Sequence, residues 1–245
     1  MSDTSGLQYY SVWDRTTRIF HWFNVLCIIG LVGVGVVILN AKVLGVSGEG
    51  KIILKTIHVY IGYAFSVNLF WRLIWGFIGN KYVRWNAVLP INKGFWRSLS
   101  DYIGGSKSGE KPQYLGHNPL AKIMIAALFI FLIMQATTGL VLAGTDLYMP
   151  PFGNIISEWV SASPALVDNI KPGSKDGVDL IAYTQMREFR KPFVTLHYFS
   201  FYGLLVLIFL HIGAVVMTEI REKNGLVSAM FTGNKVASKK PVDLD

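Results

Sequence analysis

Residues 193–217 read FVTLHYFSFYGLLVLIFLHIGAVVM, a stretch without acid, lysine or arginine that carries a histidine towards each end, His197 and His211. A bilayer core of about 30 Å is crossed by roughly 20 apolar helical residues, so this stretch is long enough to span. The two histidines lie 14 residues apart. At about 100° per residue, that separation returns to within roughly 40° of the same helix face, with a rise of about 21 Å. One helix therefore presents two imidazoles on one side, one per leaflet. Ionisable groups within a bilayer are costly, and their default reading is functional.

Three further stretches reach spanning length, at 19–39, 57–78 and 120–143. The composition agrees: of 245 residues, 52% are apolar, 13% aromatic and only 16% charged, with a mean hydropathy of +0.41. A soluble domain carries about a quarter charged residues. Disorder, collagen and coiled coil are excluded by the same figures. The single cysteine, Cys27, excludes a disulfide framework and a thiolate-ligated iron–sulfur cluster. No C-x-x-C-H motif offers covalent haem attachment. Arg15, Arg18, His21 and Asn24 make the first span too polar for a cleaved signal sequence. The expectation is an all-α integral membrane four-helix bundle forming one domain over residues 1–245, with a long outer loop at 144–192.

Lysines and arginines set the orientation. One side holds thirteen of them, in the N-terminal tail, the loop at 79–119 and the C-terminal tail, Lys111 and Lys239 among them; the other holds eight. Both termini are thus expected in the cytoplasm. The net charge of +8 is mostly an excess at anionic headgroups, which removes the need for a nucleic-acid partner. In the 79–119 loop, Trp85, Phe95, Trp96 and Tyr102 suit either an interfacial amphipathic helix or an aromatic belt. The 144–192 loop, with Tyr148, Phe152, Ile155, Ile156, Trp159 and Val160, reads as an ordered cap or docking surface.

Four of the five histidines lie within the spans. Antiparallel packing brings His58 level with His197, and His21 level with His211. Two pairs at two depths are what two stacked haems need, each with two axial imidazoles in a bundle core. Zinc would need its ligands at one depth. With both axial positions taken, each iron suits electron transfer rather than oxygen binding. Arg72 lies 14 positions after His58 and would pair with a haem propionate or snorkel to the headgroups. Gly30, Gly33, Gly35, Gly62 and Gly203 either admit a flat macrocycle or let helices pack closely. His117 precedes Asn118-Pro119, a helix-start signal, and has a structural reading ahead of proton delivery. No acid lies in the spans, which argues against a proton channel.

Longer motifs add to this. They are Val12-Trp13-Asp14, Arg18-Ile19-Phe20-His21-Trp22, Ile57-His58, Arg72-Leu73-Ile74-Trp75, Gly79-Asn80-Lys81-Tyr82, Gly116-His117-Asn118-Pro119-Leu120-Ala121, Arg221-Glu222 and Ser228-Ala229-Met230-Phe231-Thr232-Gly233. With the His197/His211 pair, they make nearly the whole chain resemble the prokaryotic four-helix di-haem cytochromes b, which include the b-type cytochrome subunits of membrane-bound Ni/Fe hydrogenases. The resemblance implies two non-covalent b haems on His21, His58, His197 and His211 in the bacterial inner membrane. It implies electron relay between an outer-face partner and the quinone pool, with quinone near Trp13, Arg18 and Arg72. The partner expected is a hydrogenase small subunit, another oxidoreductase or a c-type cytochrome. Val194 stands where the hydrogenase subunits carry a further histidine. The competing expectations are a stand-alone quinone oxidoreductase for a small reactant such as superoxide, and a haem-free membrane anchor.

Overall fold

Polar caps decide where the long helices begin. The Asp14 carboxylate accepts from Thr17 N at 2.7 Å and starts α1, Arg15–Leu39. Ser47 Oγ accepts from Gly50 N at 3.0 Å and starts α2, Gly48–Ile78. Asn118 Oδ1 accepts from Ala121 N at 2.8 Å, so α5, Pro119–Leu147, opens on the expected Asn-Pro cap. Asp179 Oδ1 takes the amides of Ile181 and Ala182 at 2.8 and 2.9 Å and opens α7, Leu180–Glu222. A side-chain oxygen at the N-cap satisfies amides that have no intrahelical acceptor.

The computed structural model describes residues 8–108, 112–237 and 240–244; Lys111 and Lys239 of the charge balance lie outside them. Besides the four long helices there are α3, Trp85–Val88, α4, Phe95–Ser108, α6, Gly153–Val160, and α8, Leu226–Thr232. A short strand β1, Gln8–Ser11, pairs antiparallel with β2, Asn234–Ala237. The protein is all-α apart from this ribbon. Its α1, α2, α5 and α7 are each long and apolar enough to cross a membrane.

Two sequence-based boundaries need correction. The loop expected at 144–192 does not end at Pro192, because α7 begins at Leu180 and carries Pro192 in its interior. Proline removes one backbone bond but does not end a helix that is otherwise capped and packed. The first outer connection is likewise shorter, since α2 starts at Gly48 rather than at 57. In both cases the extra turns are too polar to register as apolar spans.

The described residues form two compact units. The first is drawn from Met1–Trp22, Phe70–Ile130 and Leu204–Asp245. Its core gathers Val12, Trp13, Val83, Leu115 and Ala229. The Gly233 carbonyl accepts from Val12 N and Trp13 N at 2.9 and 3.0 Å. Asp243 accepts from Leu115 N and Gly116 N, both at 2.7 Å. Lys235 is buried, donating from Nζ to Gly116 O at 3.1 Å with its ammonium 5.4 Å from the Trp13 ring centre. The chain's two ends and the segment before α5 are thereby tied together. In α4, Phe95 and Tyr102 are buried while Trp96 is exposed, as expected of an amphipathic helix. Trp85 belongs instead to α3, edge-on to Phe129.

The second unit is drawn from Phe23–Leu69 and Phe131–Gly203. Residues 148–179 are ordered around Ile156, Val160, Ile170 and Met186, with a 3-10 turn at Pro164–Asn169. Asp146 pairs with Lys55 and, at 3.0 Å, with Arg190, joining the ends of α2, α5 and α7.

Gly233 has φ +90°, and an added Cβ would stand 2.7 Å from Trp13 O. Gly233→Ala is expected to cost about 1–3 kcal/mol through left-handed strain and this collision. Thermal unfolding of the detergent-solubilised protein should show a lower midpoint; an unchanged midpoint would contradict the assignment.

Candidate functional site

In the second unit, His58 of α2 and His197 of α7 face each other. Their ring centroids are 6.4 Å apart and their planes inclined at 75°. The separation lies within the ordinary range for an aromatic pair and also leaves room for an atom between the rings. A direct N–H···N hydrogen bond of about 2.9 Å would bring collinear centroids to about 5.2 Å. A metal–imidazole bond of about 2.0–2.1 Å on each side, plus about 1.2 Å from nitrogen to ring centre, gives about 6.4 Å.

The surroundings favour these two rings. Thr138 Oγ1 lies 2.8 Å from His197 Nδ1. Gln135 Nε2 donates to His197 O and to Ser200 Oγ, each at 3.0 Å. An added Cβ on Gly35 would lie 3.4 Å from His58 Cε1, and one on Gly139 3.4 Å from His197 Cε1. The glycines noted in the sequence therefore divide. Gly35 faces the His58 ring, Gly30 and Gly203 pack on Ile61 and Phe131, and Gly33 and Gly62 face open space. Sequence reasoning missed Thr138, Gln135 and Gly139. Their only signal is a polar run, Gln135 to Thr138, inside the most apolar of the long helices.

The first unit holds His21 of α1 and His211 of α7, close enough for a charge on one to act on the other. His21 Nδ1 is buried and has no hydrogen-bond partner. Arg72 belongs to this unit and is only 4% exposed, so it does not reach outward as a snorkelling side chain does. Its Nη2 donates to Val83 O at 3.1 Å, while its guanidinium carbon lies 5.0, 5.4 and 6.0 Å from the rings of Trp85, Phe129 and Phe20. Such contacts are worth about 0.5–2 kcal/mol each. Nη1 has no partner and remains available to an acceptor.

Trp13 is buried against His117, ring centroids 4.9 Å apart. Arg18 donates to Phe231 O and keeps a buried Nε without a partner. Burial, then the positive charges of Lys235, Arg72 and Lys122, push the His117 imidazole down to about 3. Burial also lowers Lys235 to about 8, against the pull of Asp243. Burial raises the Asp14 carboxyl, but hydrogen bonds from Thr17, Trp75 and Asn80 outweigh it and hold the group below the usual carboxylate range. Among the described residues, no three metal-ligating His, Cys, Asp or Glu side chains converge; the histidines come as pairs.

The model of the family described as prokaryotic cytochrome b561 matches residues 12–233. The chain belongs to the prokaryotic cytochrome b561 family. It is similar to a probable Ni/Fe-hydrogenase B-type cytochrome subunit of Bradyrhizobium diazoefficiens, 26% identical over 233 residues, covering 91% of this chain and 85% of the relative. The corresponding protein of Cupriavidus necator is 22% identical over 231 residues, with 91% and 85% covered. A probable Ni/Fe-hydrogenase 1 B-type cytochrome subunit of Escherichia coli strain K12 is 30% identical over 141 residues, 54% of this chain and 59% of the relative. Together with the four long apolar helices, membership makes this cytochrome b561 family member a multi-pass membrane protein of electron transport, and it implies b-type haem. The residues present suit that group: the second unit holds two imidazoles with room for an atom between them, and the first unit, by itself, holds a buried guanidinium nitrogen that has no hydrogen-bond partner among the described residues.

The low pKa of His117 has a consequence for stability. Its folded value of about 3 lies below the ordinary 6.5, so the unfolded chain takes up a proton that the folded one refuses. The contribution is complete above about pH 6.5 and is lost as the pH falls from there towards 3. His117→Asn should flatten this part of the stability profile, read as unfolding midpoint against pH in detergent. Parallel profiles for the two proteins would refute the buried neutral imidazole.

Proposed function

We propose that the chain holds two b haems, one between His58 and His197 and one between His21 and His211, and relays electrons across the bacterial inner membrane. Its outer-face partner is a Ni/Fe hydrogenase and its other partner the quinone pool. The separation of the His58 and His197 rings carries the haem reading. The hydrogenase partner is supported by the similarity to hydrogenase B-type cytochrome subunits of Bradyrhizobium, Cupriavidus and Escherichia. The lysine and arginine balance supports cytoplasmic termini.

A b haem with two imidazole ligands supplies one-electron transfer and offers no open coordination position. The protein's part is to hold and to insulate. His58 and His197 fix one centre, and His21 and His211 the other. Arg72 supplies a hydrogen-bonding charge to a propionate through Nη1, with its other nitrogen held by Val83 O and its flat faces covered by aromatic rings. The reading puts quinone binding at Arg18, whose buried Nε has no hydrogen-bond partner among the described residues, with Trp13 as a second contact.

Purified protein should contain two haems per chain and give a b-type α-band on dithionite reduction. His58→Ala and His21→Ala should each remove one haem of the two. A wild-type protein with a single haem, or a His58→Ala protein retaining both, would overturn the assignment of ligands.

A further inference from the structure

His197 is held differently from its partner ligand, and the difference lies in one hydroxyl. Thr138, on α5, is 2% exposed. Its Oγ1 is 2.6 Å from Met134 O and 2.8 Å from His197 Nδ1. A threonine hydroxyl has one proton and two acceptor positions. A carbonyl oxygen can only accept, so at 2.6 Å the proton belongs on the line to Met134 O. Were it turned to His197 instead, two oxygen lone-pair regions would face each other at that distance. Towards the imidazole, Thr138 therefore accepts, and His197 Nδ1 is the donor. This fixes the tautomer: the proton is on Nδ1, and the lone pair is on Nε2.

The threonine does not act in isolation. The chain runs from His197 Nδ1–H to Thr138 Oγ1, and from its hydroxyl proton to Met134 O, so each bond polarises the next. Gly139, the next residue of α5, leaves room for the ring: an added Cβ there would meet His197 Cε1 at 3.4 Å. Gln135 ties the His197 backbone carbonyl from the same helix. His58, across the pair, has a buried Nδ1 with no hydrogen-bond partner.

We propose that Thr138 is a positioning residue for His197, selecting its Nε2 as the metal-binding nitrogen and lowering the reduction potential of the centre held by His58 and His197. An acceptor at Nδ1–H shifts electron density onto Nε2 and makes the imidazole a stronger donor. A stronger donor stabilises ferric over ferrous iron, which makes the centre harder to reduce. The inference rests on the reading that these two histidines are the axial ligands of one b haem.

The test is a spectroelectrochemical redox titration of the full haem-loaded chain in detergent, comparing wild type with Thr138→Val, Thr138→Ala and Thr138→Ser. The Val and Ala variants should shift the midpoint potential of one of the two haem transitions upward and leave the other in place. The Ser variant, which retains the hydroxyl, should titrate like wild type. A change in the ferric low-spin electron paramagnetic resonance signal of the same single haem should accompany the shift. Wild-type potentials in both Val and Ala variants would overturn the proposal, as would a Ser variant displaced as far as Ala. Should Val lose haem through packing, the Ala and Ser pair still isolates the hydroxyl. Haem content of His58→Ala, measured in parallel, separates this outcome from failure of the ligand assignment: two haems retained there means that the axial pair itself is wrong.

Discussion

A polar group inside a bilayer must find a partner within the protein, because the hydrocarbon offers none. The four long helices satisfy their backbones internally, so the problem contracts to a few side chains. Arg72 answers it with a carbonyl and three aromatic faces, leaving one nitrogen over. The histidines face a harder version, since a neutral imidazole carries a donor on one nitrogen and a lone pair on the other. Thr138 takes one side of His197. On the proposed assignment a haem iron would take the other without requiring a second protein acceptor, and the 6.4 Å spacing of the rings leaves room for it.

The same constraint shapes the parts outside the spans. The first unit closes with a β-ribbon, a buried lysine and a carboxylate that caps two amides, all of it polar bonding available once the chain leaves the hydrocarbon. The contacts join segments far apart in sequence: Val12 and Trp13 to Gly233, and Leu115 to Asp243. They seat Trp13 and His117 against each other in the unit that also contains His21, His211 and Arg72. The tails are therefore folded parts of the unit that contains one of the two histidine pairs.

What was legible in the sequence follows the same division. The spans were legible because bilayer burial demands a continuous apolar run, and the histidines because they interrupt it. Spacing along one helix suffices to place His197 and His211 on a common side. The helix ends beyond the membrane were not legible from hydropathy, since Leu180–Lys191 and Gly48–Thr56 are helical by virtue of Asp179 and Ser47 caps rather than apolarity. Thr138 was illegible for another reason. A threonine in a membrane helix bonds its own i−4 carbonyl by default, and Thr138 does so; that it also meets His197 depends on the register between α5 and α7, which one strand of sequence does not contain.

Two sites for one-electron chemistry in one chain are useful as a relay only if they are not equivalent, since the ordering of their potentials biases the direction of transfer. Identical ligand types on both irons would leave the ordering to surroundings. The surroundings differ at the atoms that matter: His197 Nδ1 has an acceptor whose own proton is committed to Met134 O, whereas His21 Nδ1, in the other pair, has none. Arg72, on which Asp14 acts, and Lys122 and Lys235, on both of which Asp243 acts, stand in the unit of the His21/His211 pair. Positive charge near an iron favours the reduced state, and a hydrogen-bonded imidazole favours the oxidised one. On the proposed ligand assignment both differences would act in the same sense, making a centre held by His58 and His197 the more reducing of the two. Under the proposed function, that ordering would favour transfer from an outer-face donor towards quinone.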